Sequence, residues 1–172
     1  GDVYKRQLYG EALELVKIVM NGKTLAKSDY ATDNGELRIA NAPDDVTLVV
    51  DTLIHPDQNT SLMGLYLSNG NFFTQCEAEG FRKITWYPDR PDVMATYTVT
   101  IRADKEKYPV LLSNGNLVET GDLPNNRHYA VWDDPFRKPS YLFALVAGNL
   151  VCREETFKLA DGRDVLLQVW VE

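Results

Sequence analysis

The segment Thr96-Tyr97-Thr98-Val99-Thr100-Ile101-Arg102 decides how this chain folds. Tyr97, Val99 and Ile101 alternate with three threonines and an arginine. Successive side chains of an extended backbone point to opposite faces, so the pattern predicts a strand with one face in a core and one in water. Just upstream, Pro88-Asp89-Arg90-Pro91 carries two prolines that exclude a helix interior, and Trp86 and Tyr87 are expected to pack an irregular turn there. Downstream, Val110-Leu111-Leu112 and Asn116-Leu117-Val118 flank Ser113-Asn114-Gly115, which reads as a hairpin. Arg127 to Trp132 gives a further strand before Asp133-Asp134-Pro135. The apolar run Tyr141 to Ala147 suggests a strand covered on both faces.

The same signals extend to both ends. Leu13 to Met20 reads as a strand followed by an Asn21-Gly22 turn, and Asn34-Gly35 is a second turn leading into Glu36-Leu37-Arg38-Ile39. Val46 to Ile54 is a strand closed by His55-Pro56, and Asp57 to Ser61 is a loop. Leu65 to Leu67 and Phe72 to Thr74 form a hairpin around Ser68-Asn69-Gly70-Asn71. Cys152 to Leu159 and Val165 to Val171 pair across Asp161-Gly162. With no amphipathic helix, repeat or linker, residues 1–172 read as one all-β, sandwich-like domain of mostly antiparallel strands. Val165 to Glu172 ends in mid-pattern, so the domain is read as incomplete, and Gly1 to Gln7 lacks periodicity and is a candidate non-native lead.

Composition narrows the partners. At 172 residues and 44% hydrophobic content the chain can bury a core. Its 18 Lys and Arg against 25 Asp and Glu give a net charge of -7, with no basic cluster, which disfavours nucleic acid and anionic membranes and favours a cationic ligand group. Cys76 and Cys152 belong to no disulfide or metal framework and are read as two reduced, buried thiols of a soluble cytoplasmic protein. His55 and His128 lack a second ligand at zinc-binding spacing.

The candidate site is Thr74-Gln75-Cys76-Glu77-Ala78-Glu79-Gly80-Phe81-Arg82. An amide and two carboxylates stand at alternate positions between apolar and aromatic flanks. If the segment is extended, Gln75, Glu77 and Glu79 share a face at intervals of roughly 7 Å. Such a row can grip a cation, or it can be the wet face of an edge strand. Glu77 and Glu79 as a glycosidase acid and base, and Trp86, Trp132 and Trp170 as a sugar platform, are weaker readings, because catalytic pairs come from different strands and aromatics in β domains are mostly core.

Gln75-Cys76-Glu77-Ala78-Glu79-Gly80-Phe81-Arg82 and Asp89-Arg90-Pro91-Asp92-Val93 resemble the N-terminal domain of the zinc-dependent aminopeptidase N family, in its bacterial alanyl aminopeptidase branch. The resemblance continues through Lys107-Tyr108-Pro109, Leu111-Leu112-Ser113-Asn114-Gly115-Asn116, Asp134-Pro135-Phe136 and Tyr141 to Gly148, covering the chain from about Leu15 onward. It implies a saddle-shaped β domain over a thermolysin-like catalytic domain. It further implies that Glu77 binds the substrate's α-amino group, that Gln75 lines the pocket for the first side chain, and that the Glu77-Ala78 peptide is cis. Glu79 receives no substrate role, and Arg82 is expected to brace the loop by pairing with an acid that the sequence does not name.

The HExxH helix, the glutamate that completes the zinc site, the GxMEN stretch and the transition-state tyrosine of that family are missing from these residues and are expected after residue 172. The resemblance therefore implies zinc and peptide hydrolysis in a longer parent, with no metal and no catalytic group in this part. The competing reading is a non-catalytic β-sandwich binding module. The codons that follow Glu172 separate the two, since the module predicts no HExxH there.

Overall fold

The computed structural model describes residues 6–172, and the alternating segments become short strands. In chain order these are β1 (Arg6–Tyr9), β2 (Glu14–Met20), β3 (Lys23–Thr24), β4 (Tyr30–Asp33), β5 (Glu36–Ile39) and β6 (Leu48–Leu53). Then come β7 (Gly64–Ser68), β8 (Asn71–Gln75), β9 (Ala95–Asp104), β10 (Val110–Ser113) and β11 (Asn116–Leu123). The last are β12 (Arg127–Lys138), β13 (Leu145–Gly148), β14 (Val151–Lys158) and β15 (Asp164–Val171). Every helical segment among the described residues is a single 3₁₀ turn: Pro56–Gln58, Phe81–Lys83 and Ser140–Leu142. The all-β expectation holds, and each strand pairing is antiparallel. Of the candidate non-native lead, residues 1–5 lie outside the described residues, whereas Arg6 and Gln7 pair with Ile39 and Arg38 at the start of β1.

Five small sheets result, in the orders β1-β5-β4, β3-β2-β6, β10-β13-β8-β7, β11-β12-β9 and β14-β15. The first two enclose a core of Leu8, Ile18, Leu37, Ile39 and Ala42, onto which Trp86 packs. Fully buried aliphatic side chains such as Ile18, Leu37 and Ile39 each contribute about 1.5–3 kcal/mol relative to exposure. The β9 and β10 sheets close on a second core of Ile101, Leu111, Ala130 and Ala147, with Phe72 and Trp132 at its edge. Ile101 points inward and its neighbours Thr100 and Arg102 outward, as alternation predicts.

Three of the four expected Asn-Gly turns are hairpin turns. Asn21-Gly22, Asn34-Gly35 and Asn69-Gly70 all have positive φ at both residues, which matches the right-handed twist of the strands that they join. The fourth is not a hairpin turn: β10 pairs with β13, while β11 pairs with β12 in a different sheet. At Ser113-Asn114-Gly115 only the glycine has positive φ, at 88°. A Cβ there would stand 2.2 Å from the Asp133 carbonyl oxygen, so glycine lets the chain cross the backbone of β12 closely. Asn114 meanwhile accepts from the Ala144 amide at 2.6 Å and donates to the Leu142 carbonyl at 3.1 Å, standing in for a strand edge.

Two other expectations change. The strand expected to stop at Trp132 runs on to Lys138, because the register shift between Asp134 and Lys138 takes Pro135 out of the ladder, where its missing N–H costs no pairing. The run Tyr141 to Ala147 is a strand only from Leu145. Its start belongs to the 3₁₀ turn Ser140–Leu142; Ser140 and, directly after the turn, Phe143 are buried, while Leu142 stays exposed.

Candidate functional site

Strand β8 delivers Gln75 and ends there. Residues 77–80 form a turn, so the row of Gln75, Glu77 and Glu79 on one strand face does not exist. The Glu77-Ala78 peptide is cis, as the family resemblance implied. The Gly80 amide closes the turn onto the Cys76 carbonyl at 2.8 Å, and the chain continues into the 3₁₀ turn Phe81–Lys83. A Cβ on residue 80 would lie 2.2 Å from the Gln75 carbonyl oxygen and 2.8 Å from the Cys76 Cα, so only glycine fits against the strand end. Gln75, Glu77 and Glu79 are all exposed, while Cys76, between them in sequence, is buried.

Aromatic packing holds the underside of the turn. Phe81 meets Tyr87 edge-on at 4.9 Å between ring centroids and Phe143 at 5.0 Å, within a core that includes Cys76. Such pairs add roughly 0.5–1.5 kcal/mol beyond burial. Tyr9 and Tyr87 exchange backbone hydrogen bonds at 2.8 and 3.1 Å, tying β1 to the same layer.

A buried carboxylate organises the polar side. Asp89, 4% exposed, accepts from the Arg82 Nε at 2.9 Å and from the Arg82 backbone amide at 3.2 Å, while its backbone carbonyl accepts from Arg82 Nη2 at 2.8 Å. Ser140 donates its hydroxyl to the other carboxylate oxygen of Asp89. The guanidinium also faces Glu79 at 3.4 Å and lies 4.9 Å from the centre of the Tyr9 ring. Arg82 thus pairs with two acids, Asp89 on its buried side and Glu79 on its exposed side. The place of Asp89 between two prolines made a turn legible, but not a carboxylate pointing inward, and nothing in the sequence marks Ser140 as its partner.

The two candidate carboxylates therefore stand in different surroundings. Glu79 faces Arg82, and the neighbouring cation, Lys83, is held by Glu11 at 2.6 Å. Among the described residues no ion pair or hydrogen bond engages the Glu77 carboxylate. Gln75 donates its amide to the Glu77 backbone carbonyl at 3.2 Å, so the two expected site residues are joined through the main chain. The turn presents one uncompensated anion, with a neutral amide beside it, at the end of a paired strand. Such a surface suits a cationic group that brings its own hydrogen-bond donors.

The remaining chemistry-bearing residues lie elsewhere. Cys76 and Cys152 are both free, but only Cys76 is buried. Burial, reinforced by the Asp89 carboxylate, pushes the Cys76 thiol up to about 12. His128 faces the Tyr108 carbonyl at 2.7 Å and His55 faces Glu14 at 3.5 Å. Trp86 packs on the first core, whereas Trp132, whose indole donates to the Leu111 carbonyl at 3.0 Å, lines one cavity together with Trp170, so the three tryptophans do not form one platform. Among the described residues there is no group of three His, Cys, Asp or Glu that could hold a metal ion.

Residues 15–142 match the model of the peptidase M1 N-terminal domain. The chain is 54% identical over 165 residues to aminopeptidase N of Caulobacter vibrioides, covering 96% of this chain and 19% of that protein. It matches a crystal structure of Legionella pneumophila aminopeptidase A in complex with aspartic acid with a TM-score of 0.91 and 40% identity, over 96% of this chain and 20% of the other. A Deinococcus radiodurans M1 zinc metallopeptidase, an E323A mutant bound to a Tyr-Ser-Ala substrate, shares the fold at a TM-score of 0.78 and 16% identity, over 98% of this chain and 40% of the other. The chain thus spans about a fifth of the curated relative, and it belongs to the peptidase M1 N-terminal domain family.

Proposed function

We propose that this domain works as the amine-recognition part of a zinc aminopeptidase that releases N-terminal residues from peptides. It covers one side of an active site whose zinc and catalytic groups lie on a further domain of the same polypeptide. The observation that carries the reading is the contrast between Glu77, exposed and without a partner among the described residues, and Glu79, which faces Arg82. A protonated α-amine entering a partly dry cleft needs an anion that is not already neutralised. Glu77 accepts a charge-assisted hydrogen bond from that ammonium, and Gln75, fixed at the strand end, borders the first side chain. The bond is worth roughly 1.5–3 kcal/mol against a substrate that lacks the amine, which favours cutting at the chain end over internal positions. The free cysteines suit a reducing, cytoplasmic setting.

The test uses the complete polypeptide. Glu77→Ala lowers kcat/KM for an aminoacyl substrate roughly 10- to 100-fold, through a raised KM, with zinc content unchanged. Unaltered kinetics would remove the assignment. Absence of HExxH from the codons after Glu172 would instead leave a non-catalytic binding module.

A further inference from the structure

We infer that Asp89 is a positioning residue for Glu77: by holding the Arg82 guanidinium inward, it leaves the Glu77 carboxylate uncompensated and correctly placed. The inference rests on the reading of Glu77 as the amine anchor. Arg82 is the cation of the turn, five residues from Glu77, and it already faces Glu79 at 3.4 Å on its outer side. What retains it is the inner side, where the Asp89 carboxylate accepts from Nε at 2.9 Å and from the Arg82 backbone amide at 3.2 Å, and the Asp89 backbone carbonyl accepts from Nη2 at 2.8 Å. These bonds pin main chain and side chain of Arg82 together, in the 3₁₀ turn that directly follows the turn of residues 77–80. Asp89 is itself held by Ser140, a residue with 2% exposure on a separate 3₁₀ turn that packs through Phe143 against Phe81. Lys83 is engaged by Glu11 and does not substitute for Arg82.

Without the Asp89 charge, the guanidinium loses its inward anion while two carboxylates remain on the turn. It then swings outward, and a cation beside Glu77 competes with the substrate amine for the same oxygens. Asp89 thereby determines whether the anchor is available, without touching substrate.

A double-mutant cycle in the complete polypeptide tests this, reading kcat and KM for an aminoacyl substrate and for its analogue lacking the α-amino group. Asp89→Asn keeps the shape and removes the charge. It is expected to raise KM for the amine substrate about tenfold, with kcat within about twofold and the analogue unaffected. In a Glu77→Ala background the same change has no further effect, because a residue that acts through Glu77 has nothing left to position. Equal losses in both backgrounds, or equal losses on both substrates, would overturn the inference and leave Asp89 a structural residue. If Asp89→Asn does not fold, Ser140→Ala removes one bond to Asp89, and the same cycle is expected to show about a threefold effect confined to the Glu77 background. Should Glu77→Ala alone change nothing, the amine-anchor reading fails. Should Glu77→Ala act while Asp89→Asn and Ser140→Ala are silent, only the positioning role fails.

Discussion

The turn that follows β8 and the hairpin of β14 and β15 are stabilised by opposite means. At the turn, polar groups are partnered and withdrawn from water: buried Asp89 and Ser140 and half-buried Arg82 satisfy one another beside the aromatic layer of Phe81, Tyr87 and Phe143. In the hairpin, apolar groups are exposed, with Val151, Phe157, Leu166, Leu167, Val169 and Val171 all largely open to solvent. Leu166 and Leu167 are adjacent, so both faces of the hairpin carry apolar surface. Its order comes from the ladder between Val151–Lys158 and Asp164–Val171, and from Glu172, which accepts from Asn69 at 3.0 Å and Asn71 at 2.9 Å. The turn is thus held by a closed polar network over an aromatic layer, whereas the hairpin, among the described residues, is joined mainly through its own ladder and the Glu172 contacts.

The contrast breaks most visibly at Arg82. Arg82→Ala leaves Asp89 buried without its cation, and removal of one partner of such a pair costs about 3–5 kcal/mol. A loss below 1 kcal/mol in urea unfolding would show that the clamp does not hold the turn. An intermediate effect is expected from Cys76. Its folded-state pKa, pushed up to about 12, lies above the 9.0 of an ordinary thiol, so the buried neutral form contributes stability below about pH 9. That contribution is lost as pH rises from about 9 towards 12, and Cys76→Ser is expected to flatten this part of the stability profile. The smallest effect belongs to the hairpin. Val169→Thr, at a position 59% exposed, is expected to shift stability by no more than about 0.5 kcal/mol. A larger loss would mean that the hairpin relies on Val169 packing as well as on its ladder.

Much of the fold was legible because strand periodicity and type I′ turns are local properties. Leu37 and Ile39 alternate with Glu36 and Arg38 and are fully buried, and three Asn-Gly pairs close the hairpins that they mark. Asn114-Gly115 misled for a physical reason. An Asn-Gly pair reports that the backbone can take positive φ, not that the flanking strands pair, and here the freedom is used to cross β12. Pro135 misled in the opposite sense, since a bulge absorbs it within a strand. At the candidate site, family resemblance singled out Gln75 and Glu77, whereas their expected alignment on one strand face is not real, because the strand ends at Gln75.

The sequence by itself determined the all-β class, most strands and the stretch that carries the anion, because these depend on side-chain alternation, turn residues and motif order over a few positions. Only the tertiary structure decided that Asp89 and Ser140, 51 residues apart, meet beneath that stretch, that Arg82 faces Glu79 and Asp89, and that Glu77 is left without a partner among the described residues. Ion pairing depends on distance through space, and the meeting of those side chains is set by how the sheets pack.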